Sequence, residues 1–133
     1  MVGAGKSMTS YKELIVWQKS ILLVKDLYQA TGVFPKEELY GLSSQLRRAA
    51  VSIPSNIAEG NGRGALAEYL RFLHFARGSC YELETQLLIS RELRYLDEEL
   101  YQSLNARTEE IGRMLNSLIQ KLSAAPQRQT PTD

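Results

Sequence analysis

One cysteine, Cys80, and one histidine, His74, are all that this 133-residue sequence offers toward a disulfide or a soft-ligand metal centre. A lone thiol cannot close an internal bridge, and zinc sites draw on several cysteines or histidines, so a reducing compartment is the simplest expectation. Long hydrophobic runs are missing as well: none approaches the roughly 20 residues of a membrane span. No N-terminal stretch sets basic, apolar and small residues in the order of a secretion signal, and we expect a cytoplasmic protein without membrane contact. Aromatic residues are few, at 8%, and net charge is nearly absent, at +1. What is present is 44% hydrophobic residue, enough for one domain around a modest core.

The small net charge hides a gradient. Residues 1–40 carry a net +1, residues 41–80 a net +3 and residues 81–133 a net −3. Every basic residue in the middle third is arginine, whose planar fork suits bidentate contact with carboxylate or phosphate.

Apolar residues recur at alternating steps of three and four, which predicts four helices and no strand. In the first, Leu14, Trp17, Ile21, Val24 and Tyr28 form a stripe that stops at Thr31-Gly32. The second opens at Pro35 with Glu37 and Glu38 in its first turn and carries Leu39, Leu42, Leu46, Ala50, Ile53 and Ile57. A break at Gly60, Gly62 and Gly64 leads to the third, with Tyr69, Leu73, Ala76, Cys80, Leu83, Leu87 and Ser90 on one face and Arg91 and Arg94 closing it. Asp97 is the expected N-cap of the fourth, which runs through Leu100, Leu104, Ile111, Leu115, Leu118 and Leu122. Residues 1–10 read as a disordered leader, 11–122 as the helical domain and 123–133 as a disordered tail. Four such helices with short links imply an all-α, antiparallel up-down four-helix bundle.

The stretch SQLRRAAVSIPSNIAEGNGRG, residues 44–64, is unusual within that scheme. Pro54 removes the hydrogen bond to the Ala50 carbonyl, yet the apolar phase passes through it unbroken, which predicts a bend inside one helix. Beside that phase runs a second stripe, Gln45, Arg48, Ser52, Asn56 and Glu59. Serine and asparagine are poor helix formers, so we expect a hydrogen-bonded, partly buried polar network here rather than a solvated face. Arg48 and Glu59 lie 11 residues apart, roughly 16 Å along a helix, and must find partners elsewhere.

LYGLSSQLRRAAVSIPSNIAEGNGR, followed by EYLRFLHFARGSCYELETQLLIS and EEIGRMLNSLIQKL, resembles the four-helix-bundle family of 23S ribosomal RNA intervening-sequence proteins. The opening YKELIVWQKSILLVKDLY fits too, so the resemblance spans residues 11–122. It implies a small bacterial bundle assembled as a homopentamer, similar to the accessory variability determinant of diversity-generating retroelements, which is implicated in binding nucleic acid and a reverse transcriptase. Positions that match the signature are Gln45, Arg48, Ser52, Pro54, Asn56, Glu59 and Gly60, with Ser79, Glu82 and Glu84 on the third helix. Glu82 and Glu84 are thereby implied members of the polar network.

No catalytic constellation emerges, and neither enzymatic activity nor a cofactor is expected. GAGKS at residues 3–7 lacks both the first glycine of a phosphate-binding loop and a preceding strand. GNGRGA joins two helices, where a dinucleotide fingerprint needs a strand before it. Glu68, Glu82 and Glu84 lack the Glu-x-x-His pairs of a di-iron bundle, and Cys80 sits on the apolar stripe without a base.

The first helix is apolar on nearly every side: Val16, Leu23 and Leu27 lie opposite the Leu14 stripe and Ile15 and Leu22 between them. Such a helix must be covered on nearly every side, which predicts self-association, as a closed ring. Arg47, Arg63, Arg71, His74 and Arg77 are the candidate nucleic-acid contacts, repeated around the ring and directed at phosphates of RNA or DNA, with little base stacking. The alternative is a scaffold whose partner is another protein, with these arginines bridging subunits.

Overall fold

The computed structural model describes residues 10–129, with side chains through Ala124. It is all-α: α1 spans Ile15–Thr31, α2 Leu42–Gly62, α3 Leu66–Glu92 and α4 Glu98–Gln129, and no strand occurs among the described residues. Residues 1–9, including GAGKS, lie outside the described range, as do residues 130–133. The backbone of α4 is helical as far as Gln129, so the domain boundary expected at Leu122 does not mark a helix end. Ser123 and Ala124 keep the α-helical backbone, in keeping with alanine's strong helix propensity.

Each helix packs on its sequence neighbours, and α4 returns to α1. Leu23 and Leu27 of α1, Leu46, Ile53 and Ile57 of α2, Leu73, Leu83 and Leu87 of α3, and Leu104, Ile111 and Leu115 of α4 are fully buried between them. Burying such a side chain stabilises by about 1.5–3 kcal/mol. The contacts between helices occur at defined heights. Arg47 near the start of α2 reaches Thr31 at the end of α1, and Gly60 near the end of α2 meets Phe72 near the start of α3. Arg77 bonds Asn116 of α4, and Arg107 of α4 pairs with Asp26 of α1.

Three expectations are corrected. Val16, Leu23 and Leu27 form the buried face of α1, whereas Ile21 and Tyr28 are exposed and Trp17 and Val24 only half-buried. Both stripes of α1 satisfy a helical period, and the face that packs into the core is the one that sets small Ser20 and Ala30 beside Val16, Leu23 and Leu27. Second, α2 begins at Leu42 and not at Pro35: Lys36–Glu38 is a separate 3-10 turn, and Gly41, at φ −114° and ψ −113°, breaks the helix between them. Leu39 is therefore left exposed. Glu38 still serves the helix start, because its Oε1 accepts the Leu42 N–H at 3.0 Å while its Oε2 accepts from the Tyr95 hydroxyl at 3.0 Å. Third, Gly60 and Gly62 are inside α2, and the break narrows to residues 63–65, where Gly64 takes φ +82°.

Pro54 is buried inside a continuous α2, and Leu46, Ala50, Ile53 and Ile57 keep one phase across it, as expected. The stripe of α3 from Leu73 to Ser90 is buried as expected, and Asp97 caps α4 through its Oδ1, which accepts the Leu100 N–H at 2.7 Å. No helix among the described residues is long and apolar enough to cross a membrane.

Candidate nucleic-acid interface

The corner between α2 and α3 is built on a close approach. A Cβ at Gly60 would stand 2.6 Å from the Phe72 Cβ and 3.3 Å from the Tyr69 carbonyl, so only glycine lets the two helices meet there. Phe72 is thereby held at the corner, and two guanidinium groups stack on it. The Arg63 guanidinium carbon lies 4.9 Å from the ring centroid and that of Arg71 5.2 Å. Arg71 is also 5.1 Å from the ring of Phe75, which meets Phe72 edge to face at 5.5 Å. The result is an alternating series, Arg63, Phe72, Arg71, Phe75, along one edge of the molecule.

Acids of the same chain balance much of this charge. Arg63 donates to Glu59 at 2.8 Å, and Arg71 lies 3.6 Å from Glu68. Both pairs are solvent-exposed, where an ion pair is worth about 0–1 kcal/mol and is exchanged for another anion at little cost. Arg77 is half-buried, its Nη1 donates to Asn116 Oδ1 at 2.9 Å, and it pairs with no acid among the described residues. Its Nη2 lies 3.1 Å from His74 Nδ1. A guanidinium can only donate, so this contact uses Nδ1 as the acceptor.

Arg47 stands apart from the corner. Its Nε donates to Thr31 Oγ1 at 2.8 Å, its Nη2 to the Tyr28 carbonyl at 3.4 Å, and it covers the Tyr28 ring at 4.6 Å. It joins the end of α1 to α2, a partnership across 16 residues that no local pattern announces. Arg48, expected in the polar network, is instead exposed and makes no ion pair among the described residues, which makes it a further candidate phosphate contact.

That network is smaller than expected. Ser52 Oγ bonds the Ala49 carbonyl at 2.8 Å and meets the Ser79 hydroxyl on α3, and Asn56 Nδ2 donates to the Ser52 carbonyl at 2.7 Å. Ser52, Asn56 and Ser79 are half-buried, whereas Gln45, Arg48, Glu59 and Glu82 are exposed. The stripe winds slightly around α2, so its middle faces α3 and its ends face solvent.

Glu84 occupies a different cleft, of about 260 Å³, with Tyr81, Glu109, Gly112, Arg113 and Asn116. Burial, and then the charge of Glu109, raise its carboxyl above the ordinary value. A raised folded-state value means that folding favours the protonated form, so the protein gains stability as pH falls through the carboxylate range. Glu84→Gln should therefore raise the thermal midpoint at pH 7, and the difference from the parent should shrink as pH falls from the raised folded-state value toward the ordinary carboxylate value and stay constant below it. A pH series of melting curves checks this. Cys80 is buried, and burial with the nearby Glu84 charge pushes its thiol up to about 12, so it is no nucleophile at neutral pH.

Residues 12–117 match the family described as 23S rRNA-intervening sequence protein. Among solved structures, the chain is similar to a protein of unknown function from the S23 ribosomal protein family of Bacteroides thetaiotaomicron VPI-5482. The two share 27% identity and a TM-score of 0.71, over 79% of this chain and 98% of that one. No curated protein matches the chain.

Proposed function

This chain belongs to the 23S rRNA-intervening sequence protein family, and on that premise we propose that it is a non-enzymatic accessory protein that assembles with itself and contacts nucleic acid through phosphates. The observation that carries the reading is the α2–α3 corner, where Arg63 and Arg71 are oriented by Phe72 and Arg77 lies two turns further along α3. Stacked guanidinium groups keep their donors pointing outward, ready for phosphate oxygens. Because Glu59 and Glu68 offset two of the charges, one copy binds weakly, and repetition of the corner in an assembly supplies the affinity. Titration of a labelled single-stranded RNA with the protein at low salt tests the reading, and absence of binding would overturn it.

Self-association is supported by the outer face of α1. Ile15, Ile21 and Leu22 are 54%, 41% and 56% exposed, and Val51 of α2 is exposed as well. Trp17, Ile21, Val24, Val51 and Pro54 line a groove of about 280 Å³ with Tyr11. The heights at which the helices touch support an antiparallel up-down bundle, and a ring of such bundles covers these faces without open ends. Light scattering should report several times the 15.0 kDa chain mass at micromolar concentration, and a monomer would reject the ring.

A second reading, a scaffold for another protein, is favoured by the same apolar groove. It predicts capture of a protein partner with no salt-dependent RNA binding. In either case we place the protein in the cytoplasm.

A further inference from the structure

Phe75 and Gly78 pose a question that neither the core nor the ion pairs answer. Phe75 is 47% exposed although it ends the stacked series at the corner. Arg71, one turn before it, covers the ring from that side at 5.1 Å. One turn after it stands Gly78, in the middle of a 27-residue helix and exposed to solvent. Side chains on a helix lean toward its N-terminus, so a side chain at position 78 would lie over the ring of Phe75. Glycine leaves that side bare.

Packing within the chain does not demand this glycine. A Cβ placed at Gly78 would meet nothing within 4 Å, unlike the one at Gly60. A glycine in a helix interior is unfavourable relative to alanine, and where nothing in the chain requires it, close approach from outside is the remaining physical reason. Phe75, one turn before Gly78, has the Arg71 guanidinium 5.1 Å from its ring, and Arg63 stacks on the neighbouring Phe72. A flat group stacked on Phe75 would therefore bring an attached anion toward those arginines.

We propose that the bare side of Phe75, kept open by Gly78, is a stacking platform for an unpaired base, so that the strand bound at this corner is single-stranded. This rests on the phosphate reading of the corner and gives it a substrate class. A base inside a duplex has both faces covered by its neighbours and cannot use the platform, whereas every unpaired base has a face to offer, so the preference is for strandedness and not for sequence. Little base stacking is expected from the sequence alone; the outward position of Phe75 corrects that.

The test is fluorescence anisotropy with the full-length chain and three labelled oligonucleotides of equal length: a single strand, the same strand with abasic residues throughout, and the duplex. The intact single strand should bind about tenfold more tightly than the abasic one, the scale of a single base–aromatic stack. Phe75→Leu and Gly78→Leu should each abolish that difference, and Gly78→Leu, which keeps the Arg71–Phe75 contact, should leave the affinity for the abasic strand unchanged. Gly78→Leu should at the same time melt at a higher temperature than the parent, which a merely structural role for the glycine would not give. Equal affinity for intact and abasic strands, with normal salt dependence, overturns the platform and leaves the phosphate reading standing. Failure of every strand to bind at low salt overturns both. A change in assembly mass in the Phe75 and Gly78 variants, with no change in strand preference, makes this face a subunit contact and overturns the platform.

Discussion

Gly60→Val should lower the thermal midpoint by about 10 °C, whereas Gly62→Ala, two residues further on, should raise it slightly. The contrast follows from what each new Cβ meets. At position 60 it would stand 2.6 Å from the Phe72 Cβ, and both atoms are fixed to helix backbones, so α2 and α3 must separate. Overpacking of this kind costs typically 1–3 kcal/mol, and a β-branched residue against a ring lies at the upper end, about 3 kcal/mol. In a domain of this size, that is about 10 °C. At position 62 a Cβ meets nothing, and the replacement gains about 0.5–1 kcal/mol of helix propensity. Because Phe72 is the ring on which Arg63 and Arg71 rest, Gly60→Val should also weaken RNA binding, linking the packing of the corner to its use. Equal melting of the two variants would mean that α2 and α3 do not approach at this register.

Changing Arg63, Arg71 and Arg77 together to Gln, in every copy of the assembly, should reduce affinity for single-stranded RNA at least about a hundredfold at 0.1 M salt. Each phosphate neutralised on a single strand contributes about 0.7 to the slope of log affinity against log salt, so three lost contacts remove about two logs at that concentration. The loss should be uniform across sequences, since phosphate contacts carry no base information. Folding should survive, because the three side chains are exposed or half-buried and their pairs with Glu59, Glu68 and Asn116 are individually weak. Assembly mass measured by light scattering should not change. Intact binding in the triple variant would move the contact elsewhere, with exposed Arg48 the first candidate.

How far the sequence led depended on whether a helix had one apolar face or two. On α3 a single stripe, Leu73 to Ser90, met the core as its period predicted, and on α2 the phase through Pro54 held for the same reason. On α1 two stripes were equally periodic, and choosing between Trp17 and Leu23 required the positions of the other helices. The start of α2 was misplaced because Pro35 and Glu38 carry the marks of a helix N-terminus, while the interruption rests on the backbone angles of Gly41. Among the candidate site residues, Arg63 and Arg71 share the Phe72 ring, whereas Arg77 turns toward Asn116 of α4. That Arg47 joins α1, that His74 lies against Arg77, and that Phe75 faces outward are tertiary facts. One signal for Phe75 was present all the same, in the unexplained glycine three residues after it.

The central claim is that repeated arginine corners hold nucleic acid by its phosphates, and the salt dependence of RNA binding by the full-length chain tests it most directly. With roughly five phosphates neutralised on a single strand, log affinity should fall against log salt with a slope near −3.5. The triple arginine variant loses the corner contacts in every copy and should flatten that slope to about −1.4 or shallower, the value left when at least three of the five contacts are removed. A slope near zero in the parent protein, or no binding at the lowest salt at which the assembly remains soluble, would contradict the account.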